Sequence, residues 1–226
     1  MENVQDASVL VLMSTYNGDK YLQEQLDSIF SQENVNVDIL IRDDGSTDST
    51  ISLIQNAMLL HPDRVFLMQG SNLGYARSFT KLLEIAEKEY PQYDYYAFSD
   101  QDDVWLPQKL FRAVNKLENE KKNCSSLSAI CYCSNLICVD SKLQFLKMTR
   151  KPIKRLSDIS VVINPIFTGC TMLFNLKAVQ LYVSHKHKYI RAHDYLMGLI
   201  CFYLGSLIYD DDAYIYYRQH GNNQVG

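Results

Sequence analysis

The sequence lacks the features that mark membrane, secreted and nucleic-acid-binding chains. The uncharged apolar stretches Cys124–Val139 and Tyr195–Tyr209 are too short to cross a bilayer. The segment Met1–Ser8 is polar and acidic, so we expect no signal peptide. Acidic residues outnumber basic ones by 26 to 22, which disfavours broad nucleic-acid binding. We therefore expect a soluble, cytoplasmic protein with no nucleic-acid partner.

Cysteine is scarce and irregularly placed. The chain has six cysteines, no two of which form a CxxC pair, and no histidine lies at zinc-finger spacing from them. Four of them fall in one apolar segment, 124–139. This pattern predicts reduced thiols in a protein core rather than disulfides or a zinc site.

No Pro-, Gly- or Ser-rich linker divides the 226 residues, so we expect a single domain spanning 1–226. In the first half, short apolar runs alternate with amphipathic helices at about thirty residues per unit, which is typical of βαβ crossovers. The apolar runs lie at 9–13, 37–41, 65–68 and 95–98. The pattern predicts an α/β fold, with a mostly parallel central sheet in a Rossmann-like αβα sandwich.

The second half is less regular. Its pattern predicts a helix at Pro107–Glu120, strands at Ala129–Val139 and Thr171–Phe174, a helix at Ala192–Tyr203 and a strand at Ala213–Arg218. Lys142–Arg155 carries six basic residues and no acid, and reads as an exposed loop. That loop is either simply solvated or contacts a phosphorylated lipid or an anionic membrane face. Asp210–Asp212 reads as a solvated turn.

Polar, turn-forming clusters follow the four apolar runs of the first half. They are Ser14–Gly18, Asp43–Ser46, Gln69–Gly74 and Asp100–Asp103. Because ligands bind at the carboxyl ends of parallel strands, we expect these clusters to converge on one site.

The acidic cluster Asp100–Asp103 is the strongest chemical signal. Its carboxylates would repel one another and raise each other's pKa values unless a cation neutralised them. Ligation by oxygen alone suits Mg²⁺ or Mn²⁺. The alternative is that Asp102 or Asp103 caps the following helix. One aspartate would be enough for a cap, so the presence of three favours a metal site.

The remaining motifs exclude several classes of phosphate chemistry. Arg42 occupies the position at which an aspartyl-phosphate phosphatase carries its nucleophile, so the Asp43–Gly45 segment is not that motif. Neither a dinucleotide-binding GxGxxG nor a P-loop GxxxxGK[ST] is present. Asp44 is either a nucleotide contact or a turn residue that caps the next helix. Taken alone, His193-Asp194 suggests a helix cap, His220 a surface residue and Trp105 a packing residue.

Four segments together resemble the family 2 glycosyltransferases of GT-A fold, in particular bacterial rhamnosyltransferase-like members that build surface polysaccharides. They are Val9–Asn17, Asp43–Asp48, Asn72–Gly74 and Phe98–Lys109. The resemblance implies a metal-dependent inverting glycosyltransferase that uses Mn²⁺ or Mg²⁺. The implied donor is a nucleoside-diphosphate sugar, such as dTDP-rhamnose or a UDP-sugar. The implied acceptor is a saccharide or lipid-linked saccharide, reached by a protein that is cytoplasmic or peripheral at the inner membrane face.

The resemblance also implies a role for each matching residue. Nucleotide binding is implied for Ser14, Tyr16, Asp44, Arg77 and Asp100. Metal ligation is implied for Asp102 and His220, and Asp194 is the implied catalytic base. The implied acceptor and sugar pocket comprises Trp105, Thr168, Gly169, Cys170 and His193. Residues 1–103 are expected to bind the nucleotide sugar and 104–226 the acceptor, and a C-terminal extension found in this subgroup is expected to be missing.

Two other functions remain open at the level of the sequence. A sugar-nucleotidyltransferase would need a Gly-rich, basic loop after the first strand, which Ser14–Gly18 does not provide. A non-catalytic nucleotide-sugar-binding subunit of a polysaccharide assembly complex is the second alternative. The presence of Asp194 alongside Asp100 and Asp102 argues against it.

Overall fold

A computed structural model describes residues 7–123, 128–149, 167–185 and 192–220. The strands are β1 (Ser8–Thr15), β2 (Asn36–Asp43), β3 (Val65–Gln69), β4 (Tyr95–Ser99), β5 (Val104–Trp105), β6 (Ala129–Val139), β7 (Phe145–Met148), β8 (Leu173–Phe174) and β9 (Gly205–Arg218). The helices are α1 (Leu22–Phe30), α2 (Thr50–Leu60), α3 (Tyr75–Glu89), α4 (Lys109–Lys121), α5 (Leu176–Ser184) and α6 (His193–Leu204). A short 3₁₀ turn, Gly169–Thr171, precedes β8.

All the described strands form one sheet in the order β3-β2-β1-β4-β8-β6-β9-β5, with β7 paired to β6. The first four strands pair in parallel, as the spacing of apolar runs and helices predicts. The second half is mixed: β6 and β9 pair in parallel, whereas β8, β5 and β7 each join the sheet antiparallel. Because β1 lies between β2 and β4, the ends of three parallel strands meet at one edge.

Helices cover both faces of the sheet, which confirms the predicted αβα sandwich. Along β1, Val9, Val11 and Met13 face a core formed with α1, α2 and α4. Leu10 and Leu12 face the opposite core, formed with α3, α5 and α6. Successive side chains of a strand point to opposite faces, so an unbroken apolar run is what a strand buried on both sides requires.

The structure corrects several predictions in the second half. Part of the basic segment is not a loop: Phe145–Met148 is a strand with all four residues exposed, while residues 150–155 of that segment lie outside the described part of the chain. The final strand begins at Gly205, eight residues before the predicted start at Ala213. It therefore includes Asp210, which is buried and accepts a hydrogen bond from the Tyr132 hydroxyl at 3.2 Å.

Five cysteines, Cys131, Cys133, Cys138, Cys170 and Cys201, are buried and form no disulfide among the described residues, and the sixth, Cys124, lies outside the described part of the chain. None of the helices in residues 7–123, 128–149, 167–185 and 192–220 combines the length and apolarity that a membrane span requires.

Candidate active site

The segment after β1, Ser14–Gly18, is hydrogen-bonded to the acidic turn after β4, Asp100–Asp103. The Gln101 side chain accepts a hydrogen bond from the Tyr16 backbone N–H at 2.9 Å and donates to the Tyr16 carbonyl at 3.1 Å. Gly18 makes room for that amide, because a Cβ at this position would lie 2.2 Å from Gln101 Oε1. The Tyr16 side chain is 45% exposed and so is free to meet a ligand.

Asp43 and Asp44 organise the turn after β2. Asp43 is buried and accepts hydrogen bonds from the backbone N–H groups of Gly45 and Ser46. Asp44 Oδ2 accepts from the N–H groups of Leu73 and Gly74, each at 2.9 Å, and Oδ1 pairs with the Arg42 guanidinium. Asp44 therefore joins the ends of β2 and β3.

Asp44 does not cap α2, which was the alternative to a nucleotide contact. Asp48 instead accepts a hydrogen bond from the Thr50 N–H at 3.0 Å in the first turn of that helix. Ser14 belongs to the same network as Asp44, because its hydroxyl donates to Ser78 Oγ at 2.6 Å and Ser78 also accepts from Arg42. Arg77 is exposed in the first turn of α3.

The acidic turn after β4 concentrates negative charge. Burial and the charges of Asp102 and Asp194 raise the pKa of Asp100 to about 7. Burial and the charges of Asp100 and Asp102 also raise the pKa of Asp103. Asp103 does not cap α4; its Oδ1 accepts the backbone N–H of Arg218 at 3.1 Å. Asp103 therefore does not serve as the N-cap of α4.

The residues of the turn fit a divalent cation. His220 Nε2 lies 2.8 Å from Asp102 Oδ2, so two ligand types that bind such ions already face each other. Asp103 Oδ2 is buried and has no hydrogen-bond partner among the described residues. Ligand atoms of Asp100, Asp103 and Cys170 lie within 4.8 Å of one another. A cation would offset the repulsion that raises the carboxyl pKa values.

Asp194 reaches the same region from the opposite half of the chain. It lies in the first turn of α6, where its Oδ1 accepts the Tyr195 N–H at 2.7 Å. Its Oδ2 accepts the Gly169 N–H at 3.0 Å, and this bond ties Asp194 to the Thr168–Cys170 turn. Cys170, the residue after Gly169, has its thiol within 4.8 Å of an Asp100 carboxylate oxygen, so Asp194 lies near Asp100, and its charge contributes to the raised pKa of Asp100.

His193 is buried in an aromatic setting. Its ring stacks on Phe79 with centroids 3.9 Å apart and meets the edge of Phe98 at 4.6 Å. Neither ring nitrogen has a hydrogen-bond partner among the described residues. Burial lowers the pKa of His193 to about 4, so the ring is neutral near pH 7. A Cβ on Gly169 would lie 3.0 Å from its Nε2.

Trp105 and Cys170, two of the predicted pocket residues, are buried. Trp105 is 2% exposed and packs in the core, with Lys109 Nζ 3.6 Å from the centre of its ring. Lys109 is itself buried, and burial lowers its pKa to about 7. Cys170 is fully buried beside the acidic turn, and burial raises the pKa of its thiol.

Three residues near the site were missed by sequence reasoning. Gln101 and Lys109 stand inside a segment whose aspartates drew attention, and Arg218 stands two residues before His220. A buried Arg or Lys beside an acidic cluster carries no periodic signal, so only the fold places it. The only sign of a role in the sequence was that each residue lies in or next to a segment already assigned to the site.

These features define a GT-A fold: a sheet with parallel strand ends that carry an acidic turn, covered by helices on both faces. Two solved structures of that fold superpose on the chain. They are S. aureus TarS 1-349 in complex with UDP, with a TM-score of 0.69 at 15% identity, and the mannosyltransferase PcManGT from Pyrobaculum calidifontis in complex with GDP-Man and Mn²⁺, with 0.67 at 20%. The chain is covered to 94% and 95%, and the solved chains to 60% and 58%.

The chain belongs to the glycosyl transferase family 2, whose model matches residues 10–181. The dTDP-rhamnosyl transferase RfbG of Shigella flexneri is 30% identical to it, with 95% of this chain and 73% of that protein covered. An uncharacterized glycosyltransferase of Rickettsia prowazekii is 25% identical, with 97% and 66% covered. The resemblance to rhamnosyltransferase-like members is confirmed. The chain spans about two thirds to three quarters of these relatives' length.

Proposed function

We propose that the protein is a metal-dependent inverting glycosyltransferase that moves a sugar from a nucleoside-diphosphate sugar to a hydroxyl group of a growing surface glycan or lipid-linked acceptor. The observation that carries this proposal is the convergence of Asp100, Asp102, His220 and Asp194 at the carboxyl ends of the strands. The names of the similar proteins support it: one is a dTDP-rhamnosyl transferase, and two were solved with UDP or with GDP-Man and Mn²⁺. dTDP-rhamnose and UDP-sugars are the donors to test first.

We assign the following residues to donor and metal binding. Tyr16 and Asp44 bind the base, and Ser14, Arg77 and Asp100 contact the rest of the nucleotide. Asp102 and His220 would hold Mn²⁺ or Mg²⁺, a Lewis acid that offsets charge on the departing diphosphate. We assign donor binding to residues 1–103 and acceptor binding to 104–226 within one domain.

Asp194 is the proposed general base. Two backbone N–H donors, those of Gly169 and Tyr195, fix its carboxylate. The carboxylate accepts the proton of the acceptor hydroxyl while that oxygen bonds to the anomeric carbon. The bond between that carbon and the diphosphate oxygen breaks in the same step, and the nucleoside diphosphate leaves. A single displacement inverts the anomeric configuration.

Two measurements test this function. The first is titration with UDP and dTDP, with and without Mn²⁺, for wild type and Asp102→Ala; we expect Mn²⁺ to strengthen nucleotide binding in wild type only. The second is donor turnover for Asp194→Asn, which should fall by about 10²–10⁴-fold with nucleotide binding retained. Asp27→Asn, an exposed carboxylate on α1, is the matched control. Equal turnover in Asp194→Asn and wild type would favour a different base. Nucleotide binding by a wild type with no turnover on any donor would favour the non-catalytic binding subunit.

We also propose that the β7 hairpin contacts the inner membrane face, where a lipid-linked acceptor lies. Phe145, Leu146 and Met148 are exposed to 66%, 51% and 43%, beside Lys142 and Lys147. Apolar side chains flanked by lysines suit an anionic bilayer. Co-sedimentation with phosphatidylglycerol vesicles, but not with phosphatidylcholine vesicles, is expected. Leu146→Ser with Lys147→Ser should abolish it, and unchanged sedimentation would refute the contact.

A further inference from the structure

Arg218, the last residue of β9, is a buried cation with an unusually full set of contacts. Its side chain is 2% exposed. Its backbone N–H donates to Asp103 Oδ1 at 3.1 Å, and its Nε donates to the Asp102 carbonyl at 2.8 Å. Its Nη1 donates to the Ser141 carbonyl at 2.9 Å, and its Nη2 pairs with Glu24. One residue thus holds both the backbone of Asp102 and the carboxylate of Asp103.

A second set of contacts runs from Arg218 to His220. The Arg218 guanidinium lies over the Tyr21 ring, 4.4 Å from its centre. The same ring also contacts His220, whose ring centre is 5.0 Å away, and Lys20 Nζ lies 4.8 Å from its centre. His220 Nε2 in turn meets Asp102 Oδ2 at 2.8 Å. The contacts form a closed loop that starts and ends at Asp102.

The geometry of this loop explains why an arginine stands here. Guanidinium presents its donors in a rigid planar fork and stacks on aromatic rings, whereas a lysine ammonium is a single point charge on a flexible chain. Glu24 offsets the charge of Arg218, so the charge is buried with a partner. The Arg218 side chain makes four contacts, with the Asp102 and Ser141 carbonyls, Glu24 and the Tyr21 ring, and three of these would be lost or displaced in a lysine variant that keeps the charge.

We infer that Arg218 is a positioning residue that fixes the spacing of Asp102 and His220 for the divalent cation at the donor diphosphate. This rests on the proposed function. Arg218 is expected to touch neither donor nor acceptor, since its polar groups are already engaged with the protein. Its effect therefore passes through Asp102 and His220. The base-binding segment around Tyr16 and Asp44, held by separate hydrogen bonds, is expected not to depend on it.

The test uses Arg218→Lys, with Mn²⁺ and UDP as the probes. We expect the Mn²⁺ concentration for half-maximal UDP binding to rise at least about ten-fold, the effect of losing one hydrogen bond to a charged group. UDP affinity without metal should stay within about two-fold of wild type on the same scale. The low-temperature electron paramagnetic resonance spectrum of bound Mn²⁺ should broaden as its ligand geometry becomes less uniform.

Arg64→Lys is the matched control. Arg64 also donates to a backbone carbonyl, that of Val37, and pairs with a carboxylate, that of Asp38, but at the other edge of the sheet. Arg64→Lys should leave unchanged both the Mn²⁺ concentration for half-maximal UDP binding and the UDP affinity without metal. Equal losses of UDP affinity with and without Mn²⁺ in Arg218→Lys, or an unchanged Mn²⁺ requirement, would overturn the inference.

A second variant, Glu24→Gln, tests the same contact in case Arg218→Lys does not fold. Glu24→Gln removes the carboxylate partner of Arg218 at a residue that is half exposed, so the fold should tolerate it. The Mn²⁺ requirement should rise a few-fold, and an unchanged value would count against the inference. If wild type bound UDP with no dependence on Mn²⁺, the proposed metal site would fail and the inference with it. A wild type with Mn²⁺-dependent binding and an Arg218→Lys variant that behaves identically would refute the inference alone.

Discussion

The hydrogen bonds between Gln101 and the Tyr16 backbone offer a sharp test of how the acidic turn and the segment proposed to bind the base act together. Gln101→Ala removes both bonds directly. Gly18→Ala should remove them indirectly, because its new Cβ would lie 2.2 Å from Gln101 Oε1 and the flexible amide must withdraw. The two substitutions therefore disrupt the same pair of hydrogen bonds, one by removing the amide and the other by displacing it.

The size of the effect follows from the number of bonds. A hydrogen bond between neutral groups contributes about 0.5–1.5 kcal/mol net, so the pair is worth about 1–3 kcal/mol. The Tyr16 segment is exposed, and water replaces part of that loss. We expect each single variant to bind UDP about five- to ten-fold more weakly, which is about 1–1.4 kcal/mol.

Isothermal titration with UDP in the presence of Mn²⁺ measures this for both single variants and the double variant. With alanine at 101, the methyl group at 18 meets no amide, so the double variant should bind no more weakly than the weaker single variant. Gln23→Ala, which removes an exposed amide on α1, is the control. Losses that simply add in the double variant, or unchanged UDP affinity in Gln101→Ala, would refute the reasoning.

Three further predictions concern charge and packing. Because the pKa of Asp100 is raised to about 7 in the folded protein, from its ordinary 3.8, the folded state binds this proton more tightly than the unfolded state. The contribution of Asp100 to the free energy of unfolding of the metal-free protein should thus fall as the pH rises from 4 to 7, and the drop in stability between pH 5 and pH 8, measured by urea titration, should be smaller in Asp100→Asn than in wild type. Asp44→Ala leaves the buried Arg42 without its carboxylate and should cost about 3–5 kcal/mol in urea unfolding; a cost under about 1 kcal/mol would show that the pair is not a stabilising contact. Gly205→Ala places a Cβ 1.9 Å from the carbonyl oxygen of residue 129, and should lower Tm by several degrees in a calorimetric scan, whereas an unchanged Tm would mean that the β6–β9 junction can shift freely.

The first half of the fold was predictable because each of its elements carries a strong local signal. An apolar run such as Val9–Met13 must be a strand buried on both faces, and the helices between runs show one apolar stripe each. Strand ends bring their turns together, so the sequence already pointed to Asp44, Asp100 and Asp102 as neighbours. That the turns carrying them follow neighbouring parallel strands is a consequence of the sheet order rather than of any single motif.

The second half was harder because its signals conflict. Phe145–Met148 lies among basic and polar residues and all four side chains are exposed, so its sequence shows no alternation of buried and exposed residues that would predict a strand. Gly205 and the aspartates at 210–212 suggest a turn, yet they lie in a strand paired along β6, with irregular register near Asp210 that accommodates them. Long-range pairing overrides local preference here, as is common for strands.

The position of β9 in the sheet has a consequence for how the protein is made. Val104–Trp105 of β5 pairs with β9, and among the described strands β9 lies between β5 and β6. The acidic turn therefore receives Arg218 and His220 only when a strand 115 residues later in the chain has been inserted. During synthesis, β1 to β4 can assemble while the carboxylates of the turn still lack these partners. Because β9 follows the other described strands in the sequence, a nascent chain that has not yet reached it holds β1 to β4 and the acidic turn but lacks Arg218 and His220.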